Sequence, residues 1–591
     1  MSIKLLFARR VAIISVFFLL LQPFLEKISG QLNLSNSIWT AIPGWEGPAG
    51  TAITLYNGKV LLAGTGTTRQ NSRVEIFDPL TNHRRDTAPM KYPRAGGRLF
   101  LLPDGRAIIF GGSETINFPG VPAGIPTEIF DPVTESWSEL KFSPTGLKET
   151  FIPLNNGKFL IVGFPEVVGT YDPYKDEFKR SRTLPSGLAL DVVPPTHSLL
   201  PNGEVMFMNL PGKPAAAEIF NPVTETWRTT SVPEIFGLAI GGRLTGIRFR
   251  GNIMAFLDTS RFNIANSSAL YDPATRTWQN LSPRLTNGTQ ALTLSDEEII
   301  VFGEASAEIF SDPPYSGEQP YWRTSAPPSP GANGQKLQLA DGRIISMGQT
   351  TAEMYGPRRS SDTRLSSVTT NSASFRVVPV ANESMISVFD EAYNNAPPGG
   401  TLLIKDRSGN VNMARYIAKS GSQINFLIGG LEDGQSEITY SVGNMSYGRG
   451  LILKGSVSPG LFTANADGRG VPAAVIQRIK ADGTITYEPV ARFDSSQNAF
   501  VAESIRTGDS TDQVFLVLFA TGLRNRSSLS NVQVYINDLP CEVLYAGKQP
   551  QFEGLDQINI RIPRTLAGKG EVRLLMAVDG KDANPVTLRF E

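Results

Sequence analysis

The sequence predicts an all-β protein assembled from repeated small antiparallel sheets, and three observations lead to this fold class. The phrase EIFDPVTESW at residues 128–137 returns as EIFNPVTETW at residues 218–227. Short apolar segments are joined by Asn-Gly or Asp-Gly pairs, which are strong signals of β-hairpin turns. The 591 residues include 56 glycines and 42 prolines, a composition that suits a chain with many tight turns.

The outer part of each repeat is centred on an Asp-Pro or Asn-Pro pair. These pairs begin at positions 78, 131, 172, 221, 272 and 312, and a looser Gly-Pro begins at 356. An Asp side chain accepts hydrogen bonds from turn amides and proline presets φ, so each pair predicts a tight turn between two strands. An aromatic residue stands six positions later at Trp137, Phe178, Trp227 and Trp278. We expect its ring to fill the gap between neighbouring sheets.

The inner part of each repeat predicts a hairpin of two apolar strands. Five copies show it most clearly: LYNGKVLLAG (55–64), LLPDGRAIIFG (101–111), LNNGKFLIVG (154–163), LLPNGEVMFMN (199–209) and LADGRIISMG (339–348). The repeat spacing of 40 to 53 residues matches one four-stranded propeller blade. Seven sets of three strands are followed by only six outer strands, so we assign SIWTAI (37–42), with Trp39, as the missing one. The prediction is a seven-bladed β-propeller over residues 38–357, with the N-terminal strand closing the last blade.

Two of these stretches resemble Kelch repeats, namely PRAGGRLFLLPDGRAIIFGG (93–112) and PTHSLLPNGEVMFM (195–208). The predicted blade count resembles the central domain of galactose oxidase. That resemblance implies a copper site made of two His and two Tyr, one Tyr being linked to a Cys. Residues 38–357 contain no Cys, and the chain has only two His, His83 and His197, on different blades. We therefore expect no copper-radical oxidase activity, no metal site and no cofactor.

The last third of the chain departs from the repeat period. Residues 358–364 are predicted to be a linker, followed by two immunoglobulin-like β-sandwich modules at 365–455 and 456–591. The second module contains SPGLFTANADGRG (458–470), LFATGL (518–523) and GLDQINIRIP (554–563), which resemble the Solibacter-type C-terminal domain. This resemblance implies an exported bacterial protein and no particular activity.

The N-terminal segment predicts export. Lys4, Arg9 and Arg10 precede an apolar run at 11–21, the pattern of a signal peptide, here assigned to residues 1–30. We expect a secreted, periplasmic or cell-envelope protein, with cleavage of the segment or its retention as an anchor left open. The 55 basic and 55 acidic residues balance and form no long like-charge run, so we expect no nucleic-acid partner. No membrane span is expected in the mature chain.

Three arginines are candidate ligand-binding residues at one mouth of the predicted channel. Arg94, Arg243 and Arg284 open the first strand of their blades, where they would bind a carboxylated glycan or an acidic peptide. The alternative is that they pair with carboxylates of their own blades. His197, on an inner strand, is a candidate channel-lining contact, or else a histidine bonded to neighbouring backbone. Asp191 is a further candidate binding residue of the channel or its rim.

A glycosidase needs two carboxylates about 5–10 Å apart. Glu149, Glu166 and Asp191 lie near strand ends or loops and are the candidates, the alternative being ordinary loop acids. No GxSxG, HExxH or P-loop motif is present. The favoured function is a non-enzymatic binding protein that recognises a glycan or protein partner through the propeller face. The second hypothesis is a polysaccharide hydrolase or lyase that uses channel carboxylates.

Overall fold

The computed structural model describes residues 33–46, 50–64, 72–94, 96–112, 125–144, 149–163, 167–181, 196–208, 216–233, 243–258, 267–281, 284, 290–303, 305–312, 320–358 and 365–591. The described residues form an all-β structure of many small antiparallel sheets, which confirms the predicted fold class at this level. Helical structure in these residues is limited to four short 3-10 helices: Pro330–Ala332, Glu391–Asn395, Leu529–Asn531 and Arg564–Leu566.

Within the described residues, the first 28 strands form seven four-stranded antiparallel sheets, numbered 1 to 7 along the chain. The strands are β1 (Asn33–Ala41), β2 (Thr51–Thr54), β3 (Val60–Ala63), β4 (Val74–Asp78), β5 (His83–Thr87), β6 (Arg98–Leu101), β7 (Ala107–Phe110), β8 (Glu128–Asp131), β9 (Ser136–Glu139), β10 (Thr150–Pro153), β11 (Phe159–Gly163), β12 (Val167–Asp172), β13 (Glu177–Arg180), β14 (Thr196–Leu199), β15 (Val205–Met208), β16 (Ala216–Asn221), β17 (Thr226–Ser231), β18 (Arg243–Phe249), β19 (Asn252–Asp258), β20 (Ser268–Asp272), β21 (Thr277–Asn280), β22 (Gln290–Thr293), β23 (Glu298–Phe302), β24 (Ala307–Ser311), β25 (Tyr321–Ser325), β26 (Gln335–Gln338), β27 (Ile344–Met347) and β28 (Ala352–Arg358). Sheets 1 to 6 take four consecutive strands each from β2 to β25, and sheet 7 has the order β1-β28-β27-β26.

The two turn signals of the repeat act as their chemistry predicts. The Asp78 carboxylate accepts the Leu80 backbone N–H at 2.9 Å, and the Asp131 carboxylate accepts that of Val133 at 2.8 Å. In the inner hairpins the turn glycine has positive φ, as at Gly105 (90°), a conformation that side chains with a Cβ rarely adopt. The local sequence therefore sets where each hairpin reverses.

Strand β1 completes sheet 7 from the N-terminal side. It pairs with β28, and Trp39 lies opposite Tyr355, as expected for residues 37–42. The Trp39 indole N–H donates to the carbonyl of Ala326, just after sheet 6, at 2.9 Å. The same bond recurs from Trp137 to the Ala88 carbonyl at 3.0 Å, so the aromatic of an outer strand ties its sheet to the preceding one.

The hydrophobic core of this region is divided among the gaps between sheets. Each gap between consecutive sheets holds a cluster of buried apolar side chains contributed by both neighbours. A further cluster joins sheet 7 to sheet 1, where Ile345 and Met354 pack with Val60 and Phe77. Within the described residues the packing is therefore cyclic, and burial of apolar surface between sheets holds it together.

A seven-stranded sheet, sheet 8, follows. Its order is β29-β30-β33-β32-β31-β34-β35. Its strands are β29 (Val368–Asn371), β30 (Met385–Phe389), β31 (Thr401–Lys405), β32 (Val411–Ser420), β33 (Gln423–Leu427), β34 (Gln435–Val442) and β35 (Met445–Leu453). It encloses a core that includes Phe426, Ile438 and Tyr440.

The remaining strands form two sheets that share one core, in which Leu516 and Ile558 of sheet 9 pack with Ile536 and Leu574 of sheet 10. Sheet 9 has the strand order β38-β37-β42-β46-β45, with β36 paired to β42. Sheet 10 has the strand order β41-β49-β47-β43-β44, with β48 paired to β47. Strands β39 and β40 form a separate two-stranded hairpin. The strands are β36 (Gly460–Leu461), β37 (Ala474–Ile479), β38 (Ile485–Pro489), β39 (Ala491–Asp494), β40 (Ala499–Ala502), β41 (Ser504–Ile505), β42 (Gln513–Thr521), β43 (Val532–Ile536), β44 (Leu539–Cys541), β45 (Val543–Lys548), β46 (Asp556–Arg561), β47 (Gly570–Val578), β48 (Lys581–Asp582) and β49 (Val586–Phe590).

The inner-hairpin turns of sheets 1 to 7 all contact the C-terminal sheets, which are sheets 8 to 10 with their connecting loops. One hydrogen bond per sheet, in sheet order, joins Tyr56 to Val377, Pro103 to Arg376, Asn155 to Gln533, Asn202 to Gln533, Arg248 to Gly580, Asp296 to Asp433, and Asp341 to Gln435. One end of the cyclic array is thus covered by the rest of the chain. Among the described residues, no helix is long and apolar enough to span a bilayer.

Candidate functional site: a charged cavity under the C-terminal sheets

The predicted binding residue Arg94 lies inside the protein. It is 2% exposed, and its guanidinium donates to the Glu128 carboxylate at 2.5 Å and to the carbonyls of Pro126 and Gly111 at 2.7 and 3.0 Å. Burial lowers the pKa of Arg94, and the neighbouring Glu128 opposes that shift. For this residue the alternative interpretation, pairing with a carboxylate of its own sheet, describes what the structure contains.

Of the other predicted basic residues, His197 and Arg243 lie on strands of sheets 4 and 5, and Arg284 lies between β21 and β22. Arg284 is 4% exposed, and its guanidinium carbon lies 5.2 Å from the centre of the Phe256 ring. His197 on β14 is half-buried, with its ring 6.3 Å from that of Phe207. Arg243 begins β18, and its side chain lies outside the described part of the structure.

The three predicted acids do not form a describable pair. Glu149, at the start of sheet 3, is 5% exposed, whereas Asp191 and Glu166 lie outside the described residues. Only one of the three carboxylates thus has a described position, so their separation cannot be compared with the one that a glycosidase mechanism requires. Within the described residues, no cluster of three or more His, Cys, Asp or Glu side chains has the geometry of a metal site.

A buried lysine that the sequence analysis missed lies on the innermost strand of sheet 7. The Lys336 amine donates to the side-chain oxygens of Asn333 and Gln290 at 2.9 and 3.3 Å, and to the carbonyl of Gly334 at 3.0 Å. Burial lowers its pKa to about 8. With all three ammonium donors engaged, Lys336 ties the start of β26 to sheet 6.

A cavity of about 850 Å³ lies between sheets 4 to 7 and the C-terminal sheets. We call it the interface cavity. Its walls include the hairpin turns of sheets 5 and 6, the segment after β35, and the β47–β48 hairpin. That hairpin reverses at Asp579 and Gly580, both at positive φ, as a two-residue turn requires, and carries Lys581 into the wall.

Eight ionisable side chains line this cavity, four of each sign, and half of them have partners. The Arg250 guanidinium contacts Glu297 at 3.6 Å and Asp312 at 2.8 Å. Glu383 pairs with Arg524 at 3.1 Å, and the Asp579 carboxylate accepts the backbone N–H and the hydroxyl of a serine. Arg250, Glu297 and Glu383 are thus neutralised by the protein itself, whereas the Asp579 carboxylate is held by neutral hydrogen-bond donors.

The other four face the cavity without an opposite charge in contact. Arg248 donates only to the carbonyls of Gly580 and Asp579, at 2.9 and 3.5 Å. The Lys581 amine donates to the Val457 carbonyl at 3.3 Å. Among the described residues, the amine of Lys454 and the carboxylate of Asp296 have no hydrogen-bond or ion-pair partner, although the Asp296 backbone N–H donates to Asp433 at 3.2 Å.

Electrostatics in the cavity follow from desolvation. Burial raises the pKa of Asp296, and the charge of Asp433 raises it further, while Lys581 and Lys454 oppose the shift. Burial lowers the pKa of Lys581, with Asp296 acting against that shift. The surroundings of both groups therefore disfavour the charged form, and an opposite charge on a ligand would stabilise it.

The residues of this cavity carry no motif by which sequence reasoning could have found them. Arg248, Asp296, Lys454 and Lys581 are separated by tens to hundreds of positions. The one available signal was the Asp-Glu-Glu sequence at 296–298 in place of a turn glycine, which breaks the repeat.

Comparisons with known proteins add little about function. No protein-family model and no curated protein matches the sequence. Among solved structures, one match is a protein described as "Novel fungal alcohol oxidase with catalytic diversity among the AA5 family, in complex with copper". It is 14% identical, with a TM-score of 0.43, and the match covers 71% of this chain and 100% of that one. A likeness at this level carries no functional argument.

Proposed function

We propose that the chain is a seven-bladed Kelch-type propeller with two immunoglobulin-like modules, and that it acts as an exported, non-enzymatic binding protein for a glycan. The ligand occupies the interface cavity, on the propeller face that the C-terminal sheets cover. The observation that carries this proposal is the group of three cations and one acid that line the cavity without a described side-chain hydrogen-bond or ion-pair partner. Three of the four side chains are half-buried in the cavity wall, and a charge that is partly removed from water without a partner is costly, so such a group favours a ligand.

The size of the cavity favours a glycan over a protein partner. A volume of about 850 Å³ lies within the range of about 300–1,000 Å³ typical of small-molecule sites. A stable protein interface instead needs roughly 800 Å² of surface on each partner. Both lysines and Asp296 line a recess between sheets, where a short saccharide fits better than a folded protein.

A saccharide array probed with residues 31–591 tests this function. The matched variants are Ser456→Trp, which places an indole in the cavity wall, and Ser530→Trp, which places the same side chain on the exposed 3-10 helix Leu529–Asn531. We expect the array signal to be lost with the first variant and kept with the second. Equal binding by both variants would show that the ligand binds outside the interface cavity. An array without any signal would reject the glycan-binding function.

A hydrolase is the second candidate, supported by one observation. Asp296 and Glu297 both line the cavity, and burial raises the pKa of each carboxyl. A raised carboxyl pKa is typical of a general acid. Release of reducing ends from the bound saccharide, abolished by Asp296→Asn, would favour this activity, and an intact saccharide after prolonged incubation would reject it.

A further inference from the structure

We infer that the ligand of the interface cavity is an acidic saccharide, whose carboxylate lies against Lys454 and Lys581 and whose hydroxyls donate to Asp296. This inference rests on the proposed glycan-binding function and narrows its substrate class. Uronic acids carry the two groups side by side, a carboxylate and neighbouring hydroxyls. The argument comes from the donors and acceptors that the cavity leaves unused.

The cationic wall has spare donors for a carboxylate. An ammonium group has three donors, and Lys581 uses one of them, on the Val457 carbonyl at 3.3 Å. Among the described residues the Lys454 amine uses none. Arg248 adds positive charge to the same wall. Its described hydrogen bonds go only to backbone carbonyls, which do not neutralise the guanidinium. An anionic sugar substituent such as a carboxylate fits such a wall.

The acidic wall has spare acceptors for hydroxyl groups. The Asp296 carboxylate accepts no hydrogen bond from described residues, whereas its neighbour Glu297 faces Arg250 at 3.6 Å. An ionised carboxylate only accepts, so it suits sugar hydroxyls and repels a second carboxylate at the same place. One acid without a described partner beside three such cations therefore fits a ligand that is both anionic and hydroxylated.

An alternative explanation is that these charges only hold the C-terminal sheets against sheets 5 and 6. In that case their removal would lower thermal stability without selecting for a ligand. Lys454 separates the two explanations, because its amine has no described partner whose loss would destabilise the fold. Its methionine variant keeps an unbranched side chain of similar length and removes the ammonium group with its charge and its donors.

Calorimetric titration of residues 31–591 tests the inference with three probes: trigalacturonate, its methyl ester and cellotriose. We expect trigalacturonate to bind at least tenfold more tightly than the other two, with an affinity that falls as salt is raised. Lys454→Met and Asp296→Asn should each weaken it about tenfold or more. The controls, Lys569→Met and Asp509→Asn, alter exposed residues outside the cavity and should leave the affinity unchanged.

The outcomes separate the two proposals. If the ester or cellotriose binds the cavity as tightly as trigalacturonate, the acidic ligand is wrong while glycan binding stands. If Lys454→Met lowers the melting temperature but leaves the trigalacturonate affinity unchanged, the charges are structural and the inference fails. If none of the three probes binds, the inference fails, and a blank array then rejects the glycan function as well.

Discussion

Replacing Trp39 by alanine is expected to weaken the attachment of the N-terminal strand to sheet 7. Strand β1 is held on one side by its pairing with β28 and at its outer edge by the Trp39 side chain. Its indole donates to the Ala326 carbonyl at 2.9 Å, and its ring lies 5.2 Å from Tyr355 and 6.1 Å from Phe302. The substitution removes all three contacts at once.

The magnitude follows from those contacts. One net hydrogen bond contributes about 1 kcal/mol, and each aromatic pair contributes about 0.5–1.5 kcal/mol beyond its buried area. Their sum gives a loss of about 3 kcal/mol in the free energy of opening β1. Because about 1.4 kcal/mol corresponds to a factor of ten, backbone amides of residues 33–41 should exchange with deuterium about 100-fold faster.

The control is Trp137→Ala, which removes the equivalent indole bond, to the Ala88 carbonyl at 3.0 Å. Strand β9, which carries Trp137, is joined to β8 by a short turn and is followed along the chain by sheet 3. Strand β1 is the first described strand, and no described sheet precedes it. Opening β9 therefore releases less chain entropy, and we expect exchange in residues 136–139 to rise by about tenfold at most. Equal acceleration in both variants, or less than about threefold in β1, would refute the closing role of this strand.

Three further predictions concern stability. Arg94→Met should destabilise sheets 1 to 7 by about 3–5 kcal/mol, because it leaves Glu128 charged and buried, and adding Glu128→Met should restore part of the loss. Urea unfolding followed by tryptophan fluorescence measures both effects, since all six tryptophans lie within residues 39–322. Additive losses from the two substitutions would contradict this prediction. Burial raises the pKa of Asp582 to about 6, so the folded protein binds more protons than the unfolded chain between about pH 4 and 6. The melting temperature should therefore fall as pH rises through that window, and Asp582→Asn should flatten the slope, an unchanged slope being the contrary result. Gly157→Ala should lower the free energy of unfolding by about 1–3 kcal/mol, because φ is +75° there and the new Cβ would lie 2.9 Å from a leucine of sheet 10. The control is Gly568→Ala, where φ is +71° and the Cβ would meet open space. Equal melting temperatures of the two variants would show that the contact with the leucine contributes nothing.

The candidate site shows where prediction from sequence stopped. Arg94 was placed at a channel mouth because it opens an inner strand, yet its partner Glu128 lies 34 positions away on another strand. A sequence shows that an arginine and a glutamate recur in a repeat, but their mutual burial depends on how strands align. Lys336 was missed for the same reason, since its partner Gln290 belongs to a different sheet.

The sequence by itself determined the all-β class, the repeat and the positions of the turns. These features depend on contacts within about ten residues: a turn glycine at positive φ, an Asp side chain bonded to an amide two positions on, and alternating apolar residues. The turn at Gly105 would form in any surrounding fold that kept its two strands together.

Only the tertiary structure decided which end of the cyclic array is covered and which charges meet beneath the cover. Lys454 and Lys581 reach Arg248 and Asp296 because the C-terminal sheets pack on the inner-hairpin turns. That packing depends on the complementary shapes of surfaces formed by residues hundreds of positions apart. Local periodicity does not encode such complementarity, so the cavity exists only once the sheets have assembled.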